Sequence, residues 1–390
     1  MIIKVSMDIK EESLKIHDLL KGKLSVNSKI PLNSKLAFSL AYTPGVAEPC
    51  KKIAEDKELA YKYTIKGNCV AVISNGTAVL GLGNIGATAG IPVMEGKAAI
   101  FKELGGIDAF PICIDSGDVE ENIKTIRNIA PVFGGINLED YKAPECFEIE
   151  AGLQDLGIPV MHDDQHGTAI VVLAGLINSL KLAGKEFSEV KIIFSGAGSA
   201  AIACAKLLIS YGANSGEMIL CDTKGIIYDG RNDLTENKYK EEISKITNSS
   251  SIKGPLSEAI KGADVFIGLS KAGVLNKEMI KTMAEKSVIF AMANPEPEVL
   301  PDIAKEAGAF IVATGRSDYP NQVNNALGFP GIFRGALDCR ATKITEKMKL
   351  AAAETLASMI IPTQEKILPF VFDKEVPLKV AEAVKRAWGN

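Results

Sequence analysis

The chain has 390 residues, of which 47% are hydrophobic, 24% are charged and only 6% are aromatic, with 35 glycines and a net charge of −4. This composition is typical of a soluble α/β enzyme of about two domains and excludes a disordered or fibrous chain. The slightly acidic balance leaves no broad basic surface for nucleic acid or an anionic membrane, so we expect neither as a partner.

The cysteines and the apolar runs bear on the compartment. Seven scattered cysteines without a C-x-x-C pair predict neither a disulfide framework nor a zinc cluster. The amino terminus lacks the apolar stretch of a signal peptide, and the longest apolar run, 169–177, is shorter than the roughly 20 residues that a bilayer requires. We therefore expect a cytoplasmic protein without a membrane segment.

The first half of the chain predicts one α/β domain. About forty charged, helix-prone residues end at "AYTPGVAEP", where Pro44, Gly45 and Pro49 break the pattern. From Val70 onward the short apolar runs "VAVI", "TAVLGL", "AFPICI", "GGINL" and "IPVMH" alternate with helical stretches. Such alternation favours a parallel sheet covered by helices, which we assign to residues 1–165.

The second half predicts a Rossmann-type, doubly wound NAD-binding domain over residues 166–390. A long apolar helix, 168–183, precedes the strands "VKIIFS", "MILCD", "ADVFIGLS", "SVIFAMA" and "GAFIVATG", which alternate with helices and short connections. The final fifty residues are rich in Ala, Lys and Glu and predict helices that pack back on the body.

Two glycine loops compete as the phosphate-binding loop of this domain. "GLGNIG", at 81–86, is followed by Gly90, Pro92 and Gly96, which do not predict a clean helix able to hold a pyrophosphate. The second loop lies between the strand "VKIIFS" and an unbroken helix. We therefore assign cofactor binding to the second loop, at Gly196, Gly198, Ser199, Ala200 and Ala201.

Asp222 ends the next strand, twenty-four residues after Gly198, where a carboxylate can accept hydrogen bonds from an adenosine ribose. A carboxylate there would repel the additional phosphate of NADP, so NAD is favoured. Lys224 and Arg231 follow closely and could pair with that phosphate instead, so NADP stays open.

Four acidic residues in two short windows predict a divalent metal site. They are Glu139 and Asp140 in "NLED" and Asp163 and Asp164 in "HDDQHG". Mg²⁺ and Mn²⁺ prefer anionic oxygen ligands. Adjacent residues in an extended strand face opposite sides, so Glu139 and Asp140 can share one ion only if the backbone turns there. The alternative is a set of acidic caps and surface turns.

The strings "AYTPGVA", "PVMEGKA", "GGINLED", "IPVMHDDQHGTAIV", "FSGAGSAA", "MANPEPE" and "NQVNNALGFPG" together resemble the short bacterial-type malic enzymes over roughly residues 35–335. The resemblance implies that malate is oxidised with NAD(P), that the product loses carbon dioxide, and that the enol of pyruvate is protonated, with Mg²⁺ or Mn²⁺ required. It further implies a homodimer.

The same resemblance implies a role for individual residues. Tyr42 corresponds to the proton donor and Lys97 to the proton acceptor, while the metal ligands correspond to Glu139, Asp140 and Asp164. Asn294 matches a cofactor position, and Asn325 matches a substrate position. A lysine accepts a proton only when it is neutral, so we expect burial and a nearby cation to lower its pKa.

Two departures and two alternatives accompany this interpretation. Asn75 stands where family members usually have an aspartate, and Ala78 stands where the larger enzymes have an arginine for the substrate carboxylate. An NAD-dependent hydroxy-acid dehydrogenase without decarboxylation would keep the same fold. A catalytically silent dinucleotide sensor is the alternative from another class.

Overall fold

The protein is represented by a computed structural model, which describes residues 8–79 and 81–389. Two separate sheets dominate it, one of four strands and one of six. The first seven residues of the helix-prone segment, and Leu80 within "TAVLGL", lie outside the described residues.

The first sheet is entirely parallel and has the strand order β2-β1-β3-β4. Its strands are β1 (Cys69–Ser74), β2 (Asp108–Cys113), β3 (Gly135–Leu138) and β4 (Val160–His162). The helices of this part are α1 (Ile9–Leu20), α2 (Lys35–Ala41), α3 (Ala47–Glu55), α4 (Ala60–Tyr63), α5 (Gly86–Gly105), α6 (Val119–Ile129) and α7 (Glu145–Ala151). Four of the five predicted runs are therefore strands.

The fifth run, "TAVLGL", was wrongly predicted as a strand. Among its described residues, Val79 makes only an isolated bridge to Gly83, because the chain turns back on itself at once. The expectation of a broken helix after it was also wrong, since α5 runs for 20 residues through Gly90, Pro92 and Gly96. Packing of its buried Met94 and Phe101 outweighs the poor local propensities.

The second sheet has the order β10-β9-β8-β5-β6-β7 and is parallel except at β7. Its strands are β5 (Ile192–Ser195), β6 (Met218–Asp222), β7 (Gly225–Ile226), β8 (Val265–Gly268), β9 (Val288–Ala291) and β10 (Ile311–Thr314). The order reverses between β5 and β8, so a crevice for a dinucleotide forms at the carboxyl ends of those strands. The predicted fold class, α/β with a Rossmann-type domain, is confirmed.

Nine further helices lie within the part of the chain that the structure describes. They are α8 (Asp163–Ala183), α9 (Ser199–Tyr211), α10 (Lys238–Ser244), α11 (Leu256–Ala259), α12 (Lys277–Lys281), α13 (Pro301–Glu306), α14 (Phe329–Asp338), α15 (Glu346–Ser358) and α16 (Glu375–Gly389). Short 3₁₀ turns occupy Lys57–Leu59, Ile65–Asn68, Ala130–Val132, Ser215–Glu217, Asn232–Glu236 and Asn325–Leu327. The predicted domain boundary between residues 165 and 166 falls in the first turn of α8, and the division into domains stays a prediction.

Helix α8 is largely buried and packs against α9 and α15. By length and composition alone it could cross a bilayer, but 72% of its most apolar window is buried inside the protein. A mostly buried core helix meets the same criterion of length and composition, so α8 carries little weight as a membrane segment.

The final fifty residues form α15 and α16, whose buried side chains belong to the main apolar cluster, and α14 before them packs against α5. Phe101 of α5 contacts the rings of Phe329 and Phe333 of α14, with centroid distances of 4.7 Å and 5.4 Å. Val70 of β1 and Phe194 of β5 belong to the same cluster of buried apolar side chains. One apolar core therefore extends from the first sheet to the second.

The amino-terminal helices are different, because α1, α2 and α3 have no buried residue at all. Leu14, Val26, Leu36 and Leu40 expose large apolar side chains, as do several of their neighbours. A helix in a globular protein is normally stabilised by burying an apolar face, so these helices lack their usual support within one chain.

Candidate active site

The acidic residues meet where β3 and β4 end, beside one another in the first sheet. Glu139 follows β3, and Asp163 and Asp164 open α8 directly after β4. Asp140 has a φ of +54°, and its N–H donates to Asp164 Oδ2 over 2.8 Å. The turn on which the shared-ion prediction depended is therefore present at Asp140.

Lys97 of α5 is buried among these acids. Its Nζ donates to Glu139 Oε1 over 2.7 Å and to Asp163 Oδ2 over 2.5 Å, and it lies 4.2 Å from the ring centroid of Phe329. Asn325 Nδ2 donates to the same Asp163 oxygen over 2.6 Å. Asp163 thus joins the predicted proton acceptor to the predicted substrate residue.

Burial and charge act in opposite directions on this group. Burial alone lowers the pKa of Lys97, but the charges of Asp163, Glu139 and Asp164 outweigh it, and the pKa is raised. Burial raises the pKa of Glu139 and of Asp163 to about 7 each, and it also raises that of Asp164. The protein side chains by themselves raise the pKa of Lys97, so the expected lowering is not observed.

The donor set suits a hard divalent ion, because buried carboxyl groups with raised pKa values are relieved by additional positive charge. As the side chains stand, no three His, Cys, Asp or Glu groups within the described residues gather around one point. Glu139 instead points to Lys97 and to Asn137, whose Nδ2 donates to its second oxygen over 2.8 Å. Joint coordination thus requires Glu139 to exchange these partners for the ion.

A cavity of about 230 Å³ brings residues of both sheets together. Asp140 and Asp164 line it from one side, and Ser199 and Ala200, at the start of α9, line it from the other. Several of the predicted residues share this cavity, namely Asp140, Asp164, Ser199, Ala200, Asn294 and Asn325. Two of the acids, two residues of the cofactor loop and both asparagines therefore face one space.

The second glycine loop has the geometry that close approach of a phosphate requires. Gly196 has a φ of +114°, and a Cβ there would lie 2.4 Å from the carbonyl oxygen of Leu269. A Cβ on Gly198, by contrast, would meet nothing within 4 Å. Gly198 therefore leaves open space in front of the amino end of α9, where backbone N–H groups attract anions, and Ala201 is buried behind it.

Asp222 ends β6 as predicted, but its carboxylate is already bound. Arg231 donates to both oxygens over 3.0 Å and 2.5 Å, Lys240 Nζ donates over 2.9 Å, and the Lys224 N–H donates over 2.9 Å. Burial raises the pKa of Asp222, but these donors outweigh it and hold that pKa at about 2. The neutralised carboxylate repels a further phosphate less strongly than the sequence argument assumed.

Seven predicted site residues do not line the cavity, namely Lys97, Glu139, Gly196, Gly198, Ala201, Asp222 and Tyr42. Of these seven, Tyr42 belongs to the amino-terminal helices. It caps α2, packs edge-on against Phe38, and is 62% exposed. It lies among the exposed apolar side chains of α1–α3 and is absent from the lining of the cavity.

Sequence reasoning missed residues that support the site. Asp163 was treated only as part of an acidic pair, although it contacts Lys97 directly. Asn137 orients Glu139, and Gly167 leaves room for Asp163, because a Cβ there would lie 1.8 Å from Asp163 Oδ1. Asn75 accepts hydrogen bonds from the backbone and the hydroxyl of Thr77, so this departure from the family pattern holds the loop that leads to Ala78.

Comparison with known proteins agrees with this geometry. Residues 21–154 match the family described as malic enzyme, N-terminal domain, and residues 165–388 match malic enzyme, NAD binding domain. A bifunctional malic/malolactic enzyme of Bacillus subtilis is 54% identical over 385 residues, which cover 98% of this chain and 93% of that protein. An NAD-dependent malic enzyme of Geobacillus stearothermophilus is 54% identical over 370 residues, 94% of this chain and 76% of that protein.

The fold agrees equally well. The crystal structure of an NAD-dependent malic enzyme from Thermotoga maritima has a TM-score of 0.93 and 48% identity, covering 96% of this chain and 98% of that one. The resemblance predicted from the sequence strings is confirmed, and the chain belongs to the malic enzyme family.

Proposed function

We propose that the chain catalyses the oxidative decarboxylation of malate to pyruvate and carbon dioxide, with reduction of NAD(P) and with a divalent metal ion. The observation that carries this proposal is the cavity in which Asp140 and Asp164 face Ser199 and Ala200. Family membership supports the reaction class. The cavity supports it independently, because it joins acids that follow one sheet to the cofactor loop of the other.

Lys97 is the proposed acceptor of the hydroxyl proton of malate. To accept this proton Lys97 must be neutral, and a metal ion held by the neighbouring acids would favour the neutral amine by offsetting the carboxylate charges that raise its pKa. Asp163 accepts a hydrogen bond from Lys97 Nζ and holds that group in place. Asn325 bonds to Asp163 and keeps its carboxyl group oriented while the proton moves.

Glu139, Asp140 and Asp164 are the proposed ligands of Mg²⁺ or Mn²⁺. When bound, such an ion supplies Lewis-acid stabilisation of the oxygen that becomes negative during oxidation and decarboxylation. Asp140 and Asp164 line the cavity, and the backbone N–H of Asp140 fixes the Asp164 carboxylate beside it. Glu139 contributes when its carboxylate turns from Lys97.

NAD is the proposed cofactor, and NADP is the alternative. The supporting observations are the open space at Gly198 and the carboxylate at the end of β6. Relatives of the chain are named both as NAD-dependent and as NADP-dependent malic enzymes. Because Arg231 and Lys240 neutralise Asp222, the preference for NAD that rests on this residue is expected to be moderate.

We further propose that the protein works as a homodimer in which the exposed face of α1–α3 is covered by a second copy. Helices without buried residues need such cover, and a stable interface buries on the order of 1,600 Å² in total. Tyr42 lies on this face, so we propose that it protonates the enolate in the site of the other copy.

An initial-rate assay with malate tests the function. NAD and NADP are compared with and without Mn²⁺, and released carbon dioxide, pyruvate and lactate are measured together. Carbon dioxide and pyruvate should appear in equal amounts with reduced cofactor. A dehydrogenase without decarboxylation would release no carbon dioxide, and a dinucleotide sensor would show no turnover. Lactate is included because the Bacillus relative is named a malolactic enzyme.

Two variants accompany the assay. Lys97→Ala and Asp164→Ala should each lose most of the turnover, because one removes the proton acceptor and the other a proposed metal ligand. Lys102→Ala is the matched control for the first variant, since this exposed lysine of α5 pairs with Asp108 instead. Near-normal turnover in Lys97→Ala or Asp164→Ala would contradict the role assigned to that residue.

A further inference from the structure

A second and larger cavity, of about 370 Å³, lies on the other side of α8. Its volume falls in the range of ligand pockets, roughly 300–1,000 Å³. Glu150 of α7 and Val160 of β4 form one wall, while Lys206 of α9 and Lys349 of α15 form the other. Among the described residues, none that lines the catalytic cavity also lines this one. We call it the α8 cavity.

Lys349 is the feature of the α8 cavity that points to a ligand. Its Nζ lies 3.3 Å from His166 Nδ1. Within the described part of the chain, no carboxylate oxygen lies within 4.0 Å of this ammonium group. Burial lowers the pKa of Lys349, and the neighbouring charge of Lys206 lowers it further, against the opposing charges of Glu150 and Glu346. A cation in this position gains from an anion placed beside it.

Glu150, the carboxylate on the far side of His166, is already engaged by other donors. Glu150 Oε2 lies 3.0 Å from His166 Nε2, and Glu150 Oε1 accepts from the His162 N–H over 2.8 Å. With Lys349 donating to Nδ1, the imidazole carries its proton on Nε2 and donates it to Glu150. Lys349, His166 and Glu150 thus form a series of hydrogen bonds. The ammonium group of Lys349, at one end of this series, has further hydrogens to donate.

Most of the remaining wall of the cavity is apolar, and Gln154, Gln165 and Glu346 are its other polar members. Ile202 and Leu207 of α9 and Ile344 before α15 line it, together with Phe147 of α7 and Tyr239 of α10. The last two rings stack with centroids 4.1 Å apart. A ligand that contacts both lysines would therefore place any hydrocarbon part against aliphatic and aromatic side chains.

We propose that the α8 cavity binds a small organic carboxylate, whose charged group lies between Lys349 and Lys206 and whose apolar body lies against Ile202, Leu207 and the Phe147–Tyr239 pair. Lys206 is available to the ligand because its ion pair with Glu242 is long, at 3.9 Å, and exposed to solvent, and such pairs are weak. The carboxylate supplies a counter-charge in direct contact with Lys349, on which Glu150 and Glu346 act only from more than 4.0 Å away. The site is separate from the proposed malate site and does not depend on the proposed reaction.

Binding of benzoate to the full-length enzyme, measured by titration calorimetry, tests this proposal. Wild-type protein should bind one benzoate per chain with a dissociation constant on the order of 1 mM. Lys349→Met, which keeps the length of the side chain and removes its charge, should weaken binding by roughly tenfold or more. Lys206→Met should weaken it as well. Inorganic phosphate, which lacks an apolar body, should bind more weakly than benzoate.

Lys347→Met is the matched control, because Lys347 lies on the same helix, is exposed and does not line the cavity. It should bind benzoate as the wild type does. The midpoint of thermal unfolding of each variant verifies that it is folded. Equal binding by Lys349→Met and wild type would show that benzoate binds elsewhere and would overturn the proposal. Failure of the wild type to bind, or tighter binding of phosphate than of benzoate, would overturn it too.

Discussion

Gly167 offers a sharp test of the arrangement around Lys97, because it controls the space that Asp163 occupies. A Cβ at Gly167 would lie 1.8 Å from Asp163 Oδ1 and 3.2 Å from Asn325 Cβ. Real Cβ atoms essentially never approach other atoms within 3.0 Å, so in Gly167→Ala the Asp163 carboxyl group must move by more than 1 Å. It then leaves its contacts with Lys97 and Asn325.

The magnitude follows from two opposing effects. Alanine favours a helix interior over glycine by about 1 kcal/mol, whereas breaking a buried ion pair costs about 3–5 kcal/mol. We therefore expect Gly167→Ala to lower the free energy of unfolding by about 2–4 kcal/mol while the protein still folds. A displacement of about 1 Å in a positioned catalytic group costs roughly 10²-fold in rate, so kcat should fall by about that factor.

The assay measures kcat and KM for malate together with unfolding by urea. Gly96→Ala is the matched control, because this glycine is also inside a helix and a Cβ there would meet only Lys23 Nζ, at 3.9 Å. The control should keep its rate and gain up to about 1 kcal/mol in stability. A folded Gly167→Ala enzyme with kcat within about threefold of wild type would refute the positioning role of Asp163.

Three further predictions concern the partner copy, the cofactor and the pH dependence. Mixed dimers of Tyr42→Phe and Lys97→Ala should regain about a quarter of wild-type activity. Half of the dimers then contain one copy of each variant, and each of these has one site with both Lys97 and the other copy's Tyr42. If each site were made within one chain, mixing would restore no activity. Asp222→Ala should shift the ratio of kcat/KM for NAD to that for NADP about tenfold toward NADP, since Arg231 becomes available to a phosphate. With a chelator present, the stability of the protein to urea should fall as the pH rises from about 4 to about 7. Burial raises the pKa of Glu139 to about 7 in the folded state, so over this range the folded state binds more protons than the unfolded state. Glu139→Gln should flatten this dependence.

Each of these measurements has a matched comparison. For the mixed dimers, each variant is assayed alone after the same treatment, and the mass in solution establishes whether dimers form. For the cofactor ratio, Asp233→Ala removes another carboxylate bound to Arg231 but not the one that ends β6. For the pH profile, Glu120→Gln changes an exposed glutamate of α6. An unchanged cofactor ratio in Asp222→Ala would disprove its assignment to the ribose, and an unaltered pH profile in Glu139→Gln would contradict the protonation argument.

Much of the fold could be predicted, because buried parallel strands leave a strong apolar signal. All five strands predicted in the second half are present, and among the described residues of that half only β7, with two residues, was missed. The error at "TAVLGL" arose because an apolar run forms a tight turn instead of a strand. The error at α5 arose because Gly90 and Pro92 are poor helix residues locally, whereas burial against α14 stabilises the whole helix.

The site was predictable in part, for a similar reason. Glycine loops and acidic strings are local, so Gly198 and Asp164 could be identified from short windows of sequence. The pairing of Lys97 with Asp163 joins residues 66 positions apart, and no local pattern specifies it. The bound state of Asp222 depends on Lys240, eighteen residues later. These contacts are set by tertiary packing.

The apolar core shared by the two sheets limits how this protein can be recombined with its relatives. In a chimera that joined this protein to a relative at the start of α8, Phe101 would pack against the relative's residues at positions 329 and 333 instead of its own Phe329 and Phe333. Chimeras should therefore transfer α14–α16 together with the first sheet, although these helices lie at the opposite end of the sequence. The unit that can be exchanged intact is discontinuous along the chain.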